Sequence, residues 1–279
     1  MGKRKRNSKH LEPCSTKRVE SKSGEPITIG DEVELCDKML MHQATADEGV
    51  SEDKEINICG IPYSLVCNNT QAGVTFVLEK ASLTLAYVGK KYQILSSDEH
   101  AGYMRKRNLN PYSYRPDIVY EALLQIMTSQ LCMAGRIKAV YIRTDEGVLI
   151  KVEPYARIPK SFRSFCNMMA ELQQKLCIKA KGKGGKLLRV IANPITKHLS
   201  SPSRKIGLSF SSEKAVELRE YVSGINSKQE VVFVVGVMAH GKIECDYIED
   251  LVSVSRFHLS SEDCLRHICI AMERKWSVC

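Results

Sequence analysis

A chain of 279 residues, 43% apolar and 26% charged, is long enough for one large domain or two small ones and apolar enough to bury a sizeable core. No apolar run approaches the ~18 residues of a membrane span, and the start MGKRKR leads into no apolar stretch, so neither a signal peptide nor a membrane anchor is expected. The formal charge of +9 is unevenly spread: residues 1–70 carry ten Lys and Arg against twelve Asp and Glu, which leaves 31 against 20 on residues 71–279. A globular part that holds the whole cationic excess favours a polyanionic partner, nucleic acid before an anionic membrane surface.

Residues 1–70 do not read as a domain. Two basic clusters, Lys3 to Arg6 with Lys9 and then Lys17-Arg18, are spaced like a bipartite nuclear import signal. Between Asp31 and Glu55 nine acids face only Lys38 and Lys54, and no sustained apolar period appears, so a disordered tail is expected. The eleven cysteines are scattered and form no Cys-x-x-Cys pair, as free thiols of a reducing compartment would be. Cys264 and His267 are three apart but have no second pair beside them, and no metal site is expected.

The globular pattern opens at Val74, where VTFVLEKASLTLAYV reads as two short strands around the polar Glu79-Lys80. Asp117 to Leu131 follows as a helix entered after Pro116. Ala139 to Ile142 and Val148 to Val152 form a hairpin through a turn that ends in Gly147. Ser161 to Ile178 is the strongest helical pattern, with Phe162, Phe165, Met168, Met169, Leu172 and Leu176 returning every three or four residues. Its entry carries Arg157, Lys160 and Arg163, cations at the end where the helix dipole disfavours them, which suits either an anion or a plainly solvated helix start.

Lys179 to Lys186, KAKGKGGK, reads as a flexible basic loop. A short strand over Leu187 to Ala192, a turn at Asn193-Pro194-Ile195-Thr196, a strand over Arg204 to Phe210 and a helix from about Glu213 to Val222 come next. Val231 to Lys242, VVFVVGVMAHGK, is a buried strand ending at Gly236 and a loop closed by Gly241, a pattern that serves a ligand or a simple turn. After the run Val252 to Leu259, a last helix spans about Ser260 to Trp276. Strands alternating with helices imply a mostly parallel sheet with helices on both faces.

Five of these segments resemble one family. Arg115-Pro116-Asp117-Ile118, Arg157-Ile158-Pro159, Asn193-Pro194-Ile195-Thr196, Leu208-Ser209-Phe210 and Gly236 to Gly241 stand in the order and approximate spacing of the eukaryotic N1-specific pseudouridine methyltransferase of small ribosomal subunit biogenesis. The resemblance covers about residues 71 to 279 and leaves the tail outside. It implies a SPOUT-class α/β fold with a C-terminal trefoil knot, a rare exception to the rule that chains do not thread their own loops. It also implies a homodimer that works in the nucleus and nucleolus on small-subunit ribosomal RNA within a pre-ribosomal particle, during 40S assembly, with no metal and no membrane.

The cofactor that the resemblance implies is S-adenosylmethionine, held in the knot by backbone of three segments. By position these are Leu208, then Gly236 and Gly241, then Val254, Ser255, Arg256, Phe257, His258 and Leu259. RNA contacts map to Arg115, Arg157, Lys160, Arg163 and Ser164, with Asp117 orienting Arg115. A carboxylate there can also assist loss of the N1 proton or simply cap its helix, and the two roles are compatible. Four positions depart from the family pattern. Lys160 and Ser164 stand where arginines are expected, although Arg163 adjoins the second; Arg256 stands for Asp and His258 for Pro. These departures keep a second reading in play, a non-catalytic assembly factor that binds pre-ribosomal RNA on the same fold. The sequence has no Gly-x-Gly-x-x-Gly and no Walker-type loop that would point to another nucleotide-binding enzyme.

Overall fold

The computed structural model describes residues 71–180 and 185–278. The tail, with its expected import signal and disorder, and residues 181–184 of the basic loop lie outside the described residues. In chain order the elements are β1 (Val74–Ala81), β2 (Leu85–Val88), β3 (Lys91–Ile94), α1 (Ser97–Lys106), a 3-10 turn (Pro111–Ser113), α2 (Pro116–Met127), α3 (Gln130–Met133), β4 (Ile137–Thr144) and β5 (Leu149–Val152). There follow α4 (Phe162–Lys175), β6 (Cys177–Lys179), β7 (Lys186–Ile191), a second 3-10 turn (Ile195–His198), β8 (Arg204–Leu208), α5 (Leu218–Ser223), β9 (Val231–Gly236), β10 (Asp250–Val252) and α6 (Ser261–Lys275).

One eight-stranded sheet runs β10-β8-β9-β1-β4-β5-β7-β6. Its five strands from β10 to β4 are mutually parallel, and β5, β7 and β6 continue it antiparallel. The middle strands are buried on both faces, which is why VVFVV and VTFVL read as unbroken apolar runs rather than alternating ones. Phe76 and Phe233 stack across the β1–β9 pair with ring centroids 6.3 Å apart. No helix among the described residues is long and apolar enough to cross a membrane.

Several elements differ from the sequence reading, each for a local reason. β1 does not break at Glu79-Lys80 but runs through both. Glu79 is buried there because the Tyr247 hydroxyl donates to it at 2.5 Å and Arg143 lies 3.7 Å away. The helix expected to reach Leu131 stops at Met127: the Thr128 hydroxyl turns back to the Leu124 carbonyl, and Ser129 caps a separate short helix by accepting from the Cys132 amide. α4 ends at Lys175 because Leu176 takes a left-handed φ of 60°, after which the chain pairs as β6. Residues 213–217 are not helical. They run beside Ser253, with Ser253 N–H donating to the Lys214 carbonyl and Val216 N–H to the Ser253 carbonyl, so α5 starts only at Leu218.

The expectation of helices on both faces is also overturned. Helices α2 to α6 all feed one apolar cluster on a single face, through residues such as Leu123, Leu131, Phe165, Val222 and Ile268. The opposite face is closed by Ile195 and Leu199 of the second 3-10 turn and by Met238, Ile243, Cys245, Tyr247 and Ile248 of the loop after β9. That loop has to carry the chain from β9 back across β8 to β10, and it does so without a helix. At the crossing Ile248 lies on Gly207, where a Cβ would stand 2.8 Å from Ile248 Cδ1.

α1 has no counterpart in the sequence reading, because its apolar side is too thin to show a period. It is bent at His100 (φ −119°, ψ 15°), whose Nδ1 accepts from the Ser96 amide at 3.1 Å. Burial lowers the His100 pKa, an effect that Glu99 opposes and Lys91 reinforces. An unfolded imidazole, near pH 6.5, therefore takes its proton before the folded one does, so stability is whole above that pH and falls as pH drops below it. Urea titrations between pH 7 and 5 should show a loss of up to ~1.4 kcal/mol per pH unit that His100→Asn removes; an unchanged slope in the variant would assign the loss to other groups.

Candidate functional site

The carboxyl ends of β8 and β9, the chain after β10 and the first turn of α6 surround a cavity of about 390 Å³, a size suited to a small ligand. Three separate stretches of the chain line it. Leu208 ends the first, Gly236 and Gly241 belong to the second, and Val254, Ser255, Phe257, His258 and Leu259 form the third. Arg256 is different: it sits between lining residues in sequence, yet it is exposed and does not line the cavity.

Side-chain hydrogen bonds hold these walls in place. The Ser261 hydroxyl donates to the Gly236 carbonyl at 2.6 Å and fastens the end of β9 to the start of α6. Ser253, buried, donates to the Ser255 carbonyl at 2.9 Å, while Ser255 Oγ accepts from the Phe257 amide at 2.9 Å, which tightens the third wall into a turn. Gly241 has φ 108°, a conformation open to glycine and strained for any other residue. His258 lays its ring on Phe210, centroids 3.7 Å apart, and so joins the first wall to the third.

The sequence reading did not assign Phe210, Met238, Ser261 or Cys264 to the cofactor site, although all of them line the cavity. Ser261 could have been found as the first residue of the helix that follows the run Val252 to Leu259. Cys264 has its thiol pushed up to about 11 by burial, so it is present as an inert thiol, while His267 is exposed on the same helix. Among the described residues no three His, Cys, Asp or Glu side chains gather as a metal would need.

The cationic residues form a second, polar wall. Arg115 stands at the N-cap of α2 and grips Asp117 with two nitrogens: Nε donates to Oδ1 at 2.9 Å and Nη2 to Oδ2 at 2.5 Å. This fork raises the Arg115 pKa further and fixes the plane of its guanidinium while leaving Nη1 outside the pair. One turn on, the Tyr120 hydroxyl donates to the Lys160 carbonyl at 2.6 Å, and its ring packs on Phe162 and Phe165 at 5.8 and 5.2 Å. The entry of α4 is thereby held against the entry of α2, and Arg157, Lys160 and Arg163 stand exposed around the fork's side of the molecule. Ser164 does not share their freedom. Its hydroxyl accepts from Ser161 at 2.8 Å and its amide donates to Ser161 Oγ at 3.2 Å, so it belongs to the helix cap.

The two walls meet through the helix pair α2 and α6. Glu121 on α2 has its pKa raised by burial first, and then by Asp117 and by Glu262 in the first turn of α6. At the other end of the pair, Glu273 accepts from the Leu131 amide just beyond α2. The two helices therefore run parallel, and the end that presents the Arg115–Asp117 fork is the end at which Ser261 enters the cavity.

Two further polar clusters brace this end. Asp250 accepts from Lys214 at 2.7 Å and from the Tyr221 hydroxyl, and its pKa is lowered by these bonds, Lys214's most of all. Burial and the bond to Asp250 push Tyr221 up to about 12. On the other face, Tyr247 is pushed far above its ordinary value by burial and then by Glu79.

A model of the EMG1/NEP1 methyltransferase family matches residues 76–273. The "Ribosomal RNA small subunit methyltransferase NEP1" of Mus musculus is 43% identical over 202 residues, covering 72% of this chain and 81% of that protein, and its Homo sapiens counterpart is 41% identical with the same coverage. In fold, the crystal structure of Archaeoglobus fulgidus Nep1 bound to S-adenosylhomocysteine superposes with a TM-score of 0.60 over 74% of this chain and 99% of that one, at 21% sequence identity. With a family model over most of its globular part and animal relatives above 40% identity, this chain belongs to the EMG1/NEP1 methyltransferase family.

Proposed function

We infer that the chain is a ribosomal RNA methyltransferase that uses S-adenosylmethionine to methylate N1 of a pseudouridine in small-subunit RNA. The observation that carries this is the placement of a cavity lined by three chain segments and an Arg115–Asp117 fork at one end of the parallel pair α2 and α6. The residues present fit the cofactor: Gly236 and Gly241 line the cavity without a side chain to fill it, and Leu208 and Leu259 offer apolar surface to an adenine. When bound, S-adenosylmethionine supplies an activated sulfonium methyl.

What the chain itself contributes is positioning. Arg157, Lys160 and Arg163 neutralise phosphates, and Nη1 of Arg115 is left for the RNA while Asp117 fixes its plane. Asp117 keeps lone pairs beyond the fork, and it is the acceptor we assign to the N1 proton. Holding the ring nitrogen in line with the methyl, out of water, accounts for much of the expected rate. Lys160 serves a phosphate as a point charge but not a base edge in bidentate fashion.

The family reading extends to a homodimer, to nuclear and nucleolar work on a pre-ribosomal particle, and to the trefoil knot. In support of the knot, the chain after β10 runs between Ala215, its bridge partner at Ser253, and Gly236, which accepts from Ser261. The assembly-factor reading draws on one feature, the ring of His258 lying on Phe210 at the cavity rim where the family pattern has Pro.

Titration calorimetry separates the two readings. S-adenosylhomocysteine should bind saturably to the wild type and not to Gly236→Trp, whose indole would fill the cavity; absence of binding in a folded wild type that still holds RNA would favour the assembly factor. Arg115→Ala should weaken RNA binding by ~2 kcal/mol or more, since it removes a cation and leaves Asp117 unpaired. Its affinity for S-adenosylhomocysteine should stay within about twofold of wild type, and an equal loss of both ligands in a binding assay would point to misfolding instead.

A further inference from the structure

The hairpin β2–β3 stands apart from the main sheet and pairs only with itself. Leu85 lies opposite Ile94 and Tyr87 opposite Tyr92, and because side chains alternate along a strand, these four share one face. The inner pair is covered: Ile94 is 2% exposed and lines, together with Phe162 and Arg163, a small hollow against α4. The outer pair is not covered. Tyr87 and Tyr92 are 55% and 53% exposed, although their rings meet edge to face at 5.3 Å.

Tyr92 is two residues along the strand from Ile94, about 7 Å, so the aromatic pair continues the face on which Arg163 stands. The turn beyond it is made by Gly89, with φ 69°, and by the exposed Lys90 and Lys91. From Lys80 to Ser97 the sequence holds no Asp or Glu. Paired aromatic rings left in water beside lysines that make no ion pair among the described residues are the chemistry that stacks nucleobases while contacting phosphates.

We propose that the β2–β3 tip, Tyr87 and Tyr92 with Lys90 and Lys91, is a stacking platform for the single-stranded RNA that flanks the target nucleotide. The proposal rests on the RNA reading above and extends it, since the platform lies beyond the cations already assigned and takes bases by their faces, with little regard to sequence.

The test compares two RNAs by fluorescence anisotropy: a stem-loop with a single pseudouridine in its loop, and the same stem-loop with single-stranded extensions at both ends. Wild type, Tyr87→Ala/Tyr92→Ala and Tyr87→Phe/Tyr92→Phe should bind the bare stem-loop equally. The extensions should tighten binding by ~tenfold or more in wild type and in the Phe variant, and the Ala variant should lose that gain. No gain from the extensions in wild type, or a gain that persists in the Ala variant, overturns the platform while the RNA reading stands. If wild type binds neither RNA, the RNA reading falls and takes the platform with it. An Ala variant that runs as a monomer where wild type runs as a dimer assigns the tyrosines to a subunit interface and also overturns the proposal.

Discussion

The ligand-facing end of the molecule depends on how the chain gets from β9 to β10 with β8 in the way. β8, β9 and β1 are buried on both faces, so their backbone is committed to the ladders and cannot bend toward a ligand. The cavity opens only where these strands end, at Leu208 and Gly236. The crossing loop then has to pass close over β8, and it does so at Gly207 because any Cβ there would collide with Ile248 or Leu251. Once across, β10 is only three residues long, and the chain turns at once toward α6. The cavity is the space left between these enforced turns, which is why its lining comes from segments far apart in sequence.

The crossing loop has little secondary structure of its own, and two polar clusters compensate. Tyr247 donates to Glu79 from the middle of the loop, and Asp250, at its end, is held by Lys214 and Tyr221. A carboxylate inside a parallel strand would be expensive if left alone. With a phenol donating to it and Arg143 within 3.7 Å, Glu79 instead ties the loop to the sheet. The order of the cavity is therefore borrowed from the strands through side chains that never reach it.

How much of this was legible in the sequence follows from which signals are local. The buried strands, the start of the helix at Ser161, the hairpin through Gly147 and the last helix are written in periods and turn residues within a dozen positions, and they stand close to where they were expected. Glu79 was misread as a break because its partner Tyr247 is 168 residues away. The helix expected from Glu213 failed for the same kind of reason: residues 213–217 bond to Ser253, and a non-local bridge outweighs a short run of helix formers. The faces of the sheet were misassigned because alternation of strands and helices does not say that one crossover is a loop. Of the expected ligand residues, those carried by main-chain geometry surround one cavity. Arg256 and Ser164 do not take part in the expected way, since one turns to solvent and the other is used by a cap.

Arg115 and Asp117 illustrate why a motif two residues apart carries more than its two side chains. At the N-cap of α2, Pro116 fixes the first turn and Arg115 is non-helical, so the two side chains fold toward each other before any ligand arrives. Tyr120 then transmits that fixed position to the α4 entry through the Lys160 carbonyl, and Glu121 senses the first turn of α6. One helical turn of α2 thus sets the relative placement of the cations and the cavity. A loose guanidinium would have to be ordered when RNA binds, at the cost of its rotamer freedom. The fork meets that cost during folding, when the neighbouring carboxylate is already in place.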